Sequence, residues 1–182
     1  MLRTLLIALI MGMTSVPAMA QEQTLDDFGD GADARWDYVA DGVMGGVSTG
    51  SAVLGTIAGK QAIVLTGQVS TKNNGGFIQV RRMMPGGLPE GTEGLKLSVR
   101  GNGETYFVFI RTKEMTRPWY YYSAPFKTSG DWRSIDLPLS IFSASHAHLR
   151  STPDPSEVIS VAFVAYGRDH EANLAVSELY AY

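Results

Sequence analysis

The chain has 182 residues, 45% of them hydrophobic, no cysteine and a formal net charge of −3. The lack of cysteine excludes disulfides, thiol catalysis and cysteine-ligated metal sites. The mildly acidic balance argues against nucleic acid or an anionic membrane as the main partner.

The first twenty residues have the pattern of a secretory signal peptide. Arg3 supplies a basic start, residues 5–13 are apolar, and Ala18-Met19-Ala20 is a small-x-small cleavage site. The apolar run is too short for a retained spanning helix of about 20 residues. We therefore expect cleavage after Ala20 and a mature chain without a membrane span. Residues 21–182 should form a single domain, located in the periplasm or secreted.

Hydrophobic residues in the mature chain recur with a period of two, which predicts β-strands. In chain order the predicted strands cover 52–58, 61–67, 76–81, 95–100, 106–111, 119–126, 132–137, 158–166 and 174–182. Turn residues such as Asn74-Gly75 separate them, and only residues 140–149 suggest a short helix. This spacing of strands predicts an all-β fold, an antiparallel β-sandwich or jelly roll.

An unusual glycine-rich segment, Asp41-Gly42-Val43-Met44-Gly45-Gly46-Val47-Ser48, precedes the first of these strands. It fits no phosphate, metal or nucleophile motif. Its glycines permit a positive φ or a close approach of two backbones, and its apolar residues are expected to pack against a core. We interpret it as a shaped turn in which Gly45 and Gly46 are structural, while Asp41 and Ser48 carry side chains that could meet a partner.

Signals for catalysis or metal binding are weak. There is no Gly-x-Ser-x-Gly elbow to present a nucleophile. His146 and His148 could form a metal pair, but nothing brings His170 near them, so we interpret them as exposed loop residues. An acidic group near the start lacks calcium-loop spacing and is interpreted as a solvated segment; it comprises Asp26, Asp27, Asp30 and Asp33. We predict no catalytic residue, metal or cofactor, although a hydrolase with a carboxylate pair stays open because that geometry is spatial.

Strand alternation predicts one polar surface. If Ile78 and Val80 point into the core, Gln79 and Arg81 point outward, and the same logic turns Arg100 outward on the next strand, which should be adjacent. Arginine and tyrosine side chains bind carboxylates, peptide carbonyls and sugar hydroxyls. The alternative is an ordinary solvated face, with Trp119 and Tyr121 in the core. The expected members of the binding face are Gln79, Arg81, Arg100, Arg111, Tyr120 and Tyr122.

Several motifs occur in an order that resembles the complex I intermediate-associated protein 30 family. They are Trp36, the segment 41–48, Asn74-Gly75-Gly76-Phe77, Arg81, Arg100, Trp132 and Leu137-Pro138. The resemblance implies a galactose-binding-like jelly roll and a binding role for Asp41, Ser48, Asn74, Arg81 and Arg100. It implies structural roles for Trp36, Gly45, Gly46, Gly75, Gly76, Phe77, Trp132 and Pro138.

The resemblance also implies a non-catalytic chaperone that assembles NADH:ubiquinone oxidoreductase. Mitochondrial members act on the matrix side, whereas an exported protein would meet the opposite face of that complex. We therefore expect a protein client outside the cytoplasm, such as a subunit of an inner-membrane complex. A carbohydrate-binding module with a glycan ligand is the alternative, favoured by the implied fold and by the aromatic run 119–122.

Overall fold

The computed structural model describes residues 22–182, so the signal peptide expected over residues 1–20 lies outside the described residues. Strands dominate the described chain, with short 3-10 helices between some of them. The strands are β1 (Gln23–Asp26), β2 (Trp36–Ala40), β3 (Thr49–Ile57), β4 (Lys60–Val69), β5 (Phe77–Met83), β6 (Gly94–Gly101), β7 (Thr105–Thr112), β8 (Tyr122–Lys127), β9 (Arg133–Pro138), β10 (Ser143–Ala144), β11 (Val158–Tyr166) and β12 (His170–Ala181).

The strands form two antiparallel sheets. Sheet A has the order β3-β4-β12-β6-β9, with β1 also paired to β12. Sheet B has the order β10-β8-β7-β11-β5-β2. The inward side chains of both sheets, such as Leu65 and Leu174 of sheet A and Val108 and Phe163 of sheet B, form one buried core. This arrangement confirms the predicted all-β antiparallel sandwich.

The region 140–149 is not helical. A 3-10 turn at Leu139–Ile141 leads into β10, where Ala144 pairs with Tyr122 at the edge of sheet B. Phe142 between them is 2% exposed and belongs to the core. An edge pairing and two core residues, Phe142 and Leu149, therefore take the place of the helix that the sequence suggested.

The prediction that the strands carrying Arg81 and Arg100 are adjacent is wrong. β5 lies in sheet B and β6 in sheet A, because residues 84–93 carry the chain from one sheet to the other. Arg81 and Arg100 are therefore on opposite outer surfaces. Arg100 pairs across β6 and β12 with Ala175 and lines a shallow cavity of about 180 Å³ on sheet A.

The acidic segment near the start is not simply solvated, because Asp26 is 3% exposed and joins the two sheets. Its carboxylate accepts hydrogen bonds from Arg35 Nη2 at 2.8 Å, Trp36 Nε1 at 2.9 Å and Arg82 Nη1 at 2.7 Å. Burial alone would raise the pKa of Asp26, but the hydrogen bonds from Arg35, Trp36 and Phe28 hold it below its usual value. The Trp36 ring stacks on Phe163 with centroids 4.9 Å apart, so Trp36 is structural.

Candidate functional site

The glycine-rich segment is held by one buried carboxylate. Asp41 is 0% exposed, and its oxygens accept hydrogen bonds from Ser48 N at 2.9 Å, Ser48 Oγ at 2.5 Å, Gly76 N at 2.6 Å and Phe77 N at 3.2 Å. Burial would raise the pKa of Asp41, but these bonds from Ser48, Gly76 and Phe77 lower it. Asp41 therefore ties the start of β3 to the start of β5 and stays ionised.

The space around this carboxylate is too small for a side chain at Gly46 or Gly75, which explains the glycines of the two motifs. A Cβ at Gly46 would lie 2.3 Å from Asp41 Cγ, and a Cβ at Gly75 would lie 2.4 Å from Asp41 Oδ2. Gly45 adopts φ +88° and Gly76 φ +129°, which disfavour side chains. The segments 41–48 and 74–77, distant in sequence, thus form one anchored turn, which we call the Asp41 turn.

Two predictions about the Asp41 turn need correction. Asp41 and Ser48 are buried and bonded to each other, and Ser48 Oγ also accepts a hydrogen bond from Ser70 N at 2.9 Å. Their polar atoms are therefore engaged within the protein. The apolar side chains, expected against the core, point to solvent instead: Val43 is 75%, Met44 58% and Val47 46% exposed. The hydrogen bonds of Asp41 therefore hold the turn in place, while its apolar side chains remain available to a partner.

Asn74 is the first residue of the second segment of the Asp41 turn, in the exposed loop between β4 and β5. Its φ is +59°, a left-handed conformation that asparagine tolerates better than most residues. Its side chain has no hydrogen bond within the described part of the chain, and it is exposed. Asn74 stays a candidate contact, while its backbone conformation gives it a structural role as well.

An aromatic surface covers the outward side of sheet B. Phe107 and Phe109 of β7 alternate with core residues and point outward, and they are joined by Tyr121, which immediately precedes β8, and by Tyr166 of β11. Phe109 and Tyr121 stack with centroids 4.1 Å apart, and the Tyr166 ring lies edge-on to Phe109 at 5.4 Å. We call this outward surface, with the Gln79 and Arg81 side of β5, the aromatic face.

The polar side of the aromatic face comes from β5, as predicted. Gln79 and Arg81 alternate with the buried Ile78 and Val80, and β11 separates them from Phe107 and Phe109. Between them on β11, Ala162 pairs with both Arg81 and Phe109, and Val164 pairs with both Gln79 and Phe107. Phe77, from the Asp41 turn, pairs with Tyr166 at the end of the face. The Asp41 turn and the aromatic face therefore adjoin.

Arg111 also lies on the aromatic face, but its guanidinium is used within the protein. It donates to the backbone carbonyls of Tyr120 at 3.1 Å, Met115 at 3.2 Å and Arg117 at 2.9 Å. Burial and the nearby positive charge of Arg81 lower the pKa of Arg111. Arg111 thus shapes the loop between β7 and β8 through its Nε and Nη2 donors.

The predicted orientation of the aromatic run 119–122 is wrong. Tyr122 is 0% exposed and points into the core, where its hydroxyl donates to Glu114 at 3.1 Å. Burial and that carboxylate raise the pKa of Tyr122 to about 12. Tyr120 packs beside the rings of His146 and His148, whereas Tyr121 is the member that reaches the aromatic face. Trp119, 48% exposed, is not in the core.

The remaining motif residues have structural surroundings. Trp132 Nε1 donates to the carbonyl of Ile57 at 3.2 Å, and Lys60 lies over its ring. Pro138 ends β9 opposite Gly94. His146 and His148 are 5.8 Å apart by ring centroids, and within residues 22–182 no three potential metal-ligating side chains cluster. In the same range, no helix has the length and apolarity needed to cross a membrane.

Aromatic residues of the face were missed from the sequence, although part of the signal was there. Phe107 and Phe109 alternate with Tyr106, Val108 and Ile110, so strand periodicity places them on the opposite side from the core. Because both sides of β7 are apolar, the alternation alone does not show which side is outward. Pairing with β8 and β11 settles it.

Several solved structures with the same fold are carbohydrate-binding modules. The family 11 module of the cellulosomal cellulase Lic26A-Cel5E of Clostridium thermocellum has a TM-score of 0.74 and 14% identity, over 90% of this chain and 95% of that chain. A family 11 module from the same organism, in complex with a β-1,3-1,4-mixed-linked tetrasaccharide, has a TM-score of 0.71 and 14% identity, over 88% and 94%. A family 30 module has a TM-score of 0.54 and 14% identity, over 72% and 73%.

These likenesses confirm the galactose-binding-like sandwich. No curated protein matches the sequence. The model of the family "Complex I intermediate-associated protein 30" matches residues 26–175, a span that includes both the Asp41 turn and the aromatic face. This chain therefore belongs to the complex I intermediate-associated protein 30 family.

Proposed function

We propose that this protein is a non-catalytic, assembly-factor-like protein that binds a protein client outside the cytoplasm, through the aromatic face and the adjoining Asp41 turn. The observation that carries the proposal is the sharing of one sheet surface by an aromatic cluster and Arg81. Aromatic and arginine side chains are the residues most enriched at the energetic centres of protein interfaces. Family membership favours a client that belongs to an inner-membrane complex.

The geometry of the rings favours a protein over a sugar. The planes of Phe109 and Tyr121 differ by 7°, so each ring covers one face of the other. Tyr166 turns its ring edge-on to Phe107, at an interplanar angle of 88°. A sugar ring stacks on an open aromatic face, whereas a protein side chain can pack against ring edges as well.

Site-specific photo-crosslinking in cells tests this proposal. A photoreactive residue replaces Phe107 on the aromatic face, and the matched control replaces Ser134, an exposed residue of β9 in sheet A. We expect one discrete crosslinked protein from position 107 that is absent from position 134 and is lost when Tyr166→Ala is added. Identical products at both positions, or no product at position 107, would contradict the proposal.

A glycan is the second candidate, favoured by the polar groups of the same face. The hydroxyls of Tyr121 and Tyr166 lie 3.2 Å apart, and Gln79 adds an amide on β5. One of the solved neighbours is a complex with a β-1,3-1,4-mixed-linked tetrasaccharide. Calorimetry with that tetrasaccharide decides between the candidates. Saturable binding that Tyr166→Ala abolishes would favour the glycan. If no heat of binding is measured, the protein client remains the candidate.

The hydrolase alternative has no support from the cavities. The cavity of about 180 Å³ beside Arg100 has no carboxylate in its lining. A second cavity, of about 530 Å³, has Glu93 as its one acidic lining residue. A glycoside hydrolase of the usual kind needs two carboxyl groups about 5 to 10 Å apart. Neither cavity provides such a pair.

A further inference from the structure

Arg81 is half-buried on the aromatic face, yet its charge has no partner within residues 22–182. Its Nε is buried and has no hydrogen bond, and none of the ion pairs in this range includes it. Asp37 occupies the neighbouring position on β2, in register with Arg81. No ion pair joins these two side chains, and Asp37 is exposed on the edge strand β2.

Three other half-buried arginines, Arg35, Arg82 and Arg111, have acceptors within the protein, whereas Arg100 on sheet A, like Arg81, has none within residues 22–182. Arg35 and Arg82 both pair with Asp26, at 2.8 and 2.7 Å. Arg111 donates to three backbone carbonyls. Burying a guanidinium away from water without a hydrogen-bond acceptor costs free energy. Of the two half-buried arginines without an acceptor within residues 22–182, Arg81 is the one on the aromatic face.

The surroundings of Arg81 define what would satisfy it. The positive charge of Arg81 is close enough to Arg111 to lower the pKa of Arg111, so two guanidinium groups lie near each other on this face. Across β11, the small Ala162 separates Arg81 from the apolar ring of Phe109. Ala162 itself is 3% exposed, so a ligand on this part of the face would contact the Arg81 cation on one side of it and the Phe109 ring on the other.

We propose that Arg81 binds a carboxylate of the client, carried by an acidic side chain that stands beside an apolar one in an extended segment. This inference rests on the proposed function and adds the chemistry of the contact. A guanidinium binds a carboxylate through two parallel N–H donors, which fixes the orientation of the acidic group. The neighbouring apolar side chain then packs on Phe109.

A side-chain NMR titration of the mature protein tests the site with small probes. Phenylacetate carries a carboxylate next to a ring, and phenylacetamide is its neutral counterpart. We expect phenylacetate to shift the Arg81 Nε–Hε resonance saturably, with a dissociation constant of about 1 to 10 mM, as for a single small contact. Phenylacetamide should leave the resonance in place. Equal shifts from both compounds would overturn the inference.

Variants give the matched comparison. Arg81→Gln should weaken phenylacetate binding at least tenfold, and Arg81→Lys should be intermediate because it keeps the charge but not the fork. Arg133→Gln is the control, since Arg133 is exposed on β9 of sheet A. A thermal melt of each variant confirms that it folds. Unchanged affinity in Arg81→Gln, with the fold intact, would remove Arg81 from the site.

Two competitors separate the sources of the carboxylate. A peptide of alternating phenylalanine and glutamate should displace phenylacetate, while the same peptide with glutamine should not. Displacement by trigalacturonate without displacement by the peptide would overturn the assignment to a protein segment. The cellular crosslink from position 107 separates the two proposals: if it persists in Arg81→Gln, the client interaction stands and the carboxylate site fails. If no crosslink forms from position 107 even in the wild-type background, the proposed function itself is contradicted.

Discussion

Replacing Asp41 by asparagine should destabilise the fold strongly, although the two side chains have the same shape. The carboxylate accepts one hydrogen bond at Oδ1, from Ser48 N, and three at Oδ2, from Ser48 Oγ, Gly76 N and Phe77 N. An asparagine can place its oxygen at the Oδ2 position and keep three bonds. Its NH2 group then faces the Ser48 N–H, where two donors oppose each other.

The cost follows from these contacts. Loss of a hydrogen bond to a charged acceptor costs about 1.5 to 3 kcal/mol, and the three retained bonds weaken because they no longer involve a charge. We expect a loss of about 3 to 4 kcal/mol, which for a domain of this size lowers Tm by about 6 to 16 °C. Urea unfolding and calorimetry measure the two quantities. Asp37→Asn is the control, because Asp37 is exposed and should change stability by less than about 0.5 kcal/mol.

The reasoning would be refuted if Asp41→Asn lost less than about 1 kcal/mol while remaining folded. Ser48→Ala provides a second measurement if Asp41→Asn does not fold. It removes the hydroxyl that donates to Asp41 at 2.5 Å and accepts from Ser70 N at 2.9 Å. We expect it to cost about 1 to 3 kcal/mol, because it leaves one buried N–H without an acceptor.

Two further predictions concern the same anchor. Gly46→Ala should destabilise the protein by more than about 1 kcal/mol, because the added Cβ would lie 2.3 Å from Asp41 Cγ. The matched control is Gly42→Ala, whose Cβ would have no atom within 4 Å. It should be nearly neutral in the same unfolding assay. The lowered pKa values of Asp41 and Asp26 predict that stability is full above about pH 5 and falls as the pH drops below about 4 toward the folded-state values. Asp41→Asn should show a shallower acid loss than wild type, and an equal slope would contradict the assignment.

The strands of the sandwich could largely be predicted from alternation, and the exceptions have physical reasons. β1 and β2 were missed because they are short, and because polar residues such as Asp26 and Asp37 interrupt their pattern. Asp26 looks like a surface residue in the sequence. Only the packing brings Arg35, Trp36 and Arg82 around it and makes its burial stable.

The aromatic face could be predicted only in part. Alternation fixes the spacing of outward residues, but it does not show which of the two alternating sets faces outward, here called the phase. For β5 the phase was clear, since Gln79 and Arg81 are polar and Ile78 and Val80 are not. For Trp119-Tyr120-Tyr121-Tyr122 every position is aromatic, so periodicity gives no phase. Pairing of Ile110 with Tyr122 turns Tyr122 inward and leaves Tyr121 on the face.

The assignment of Arg100 shows a different limit, one of topology. Local pattern predicts that Arg100 points outward from its strand, and it does, on sheet A. Which strand lies beside it depends on whether residues 84–93 form a hairpin or a crossover. A ten-residue loop with several prolines and glycines is compatible with both, so the pairing of β6 with β12 and β9 was not readable from the sequence.

Asp41 and Arg81 differ in whether the protein itself satisfies their buried polar atoms, and this difference distinguishes a structural role from a binding role. The Asp41 carboxylate receives all of its hydrogen bonds from within the protein, so its removal should change stability and only indirectly change binding. Arg81 has a buried nitrogen without an acceptor, so the folded protein alone does not compensate its desolvation. Removal of Arg81 should therefore cost little stability and much affinity. An opposite result, in which Arg81→Gln unfolds the protein, would mean that an internal partner satisfies it in solution.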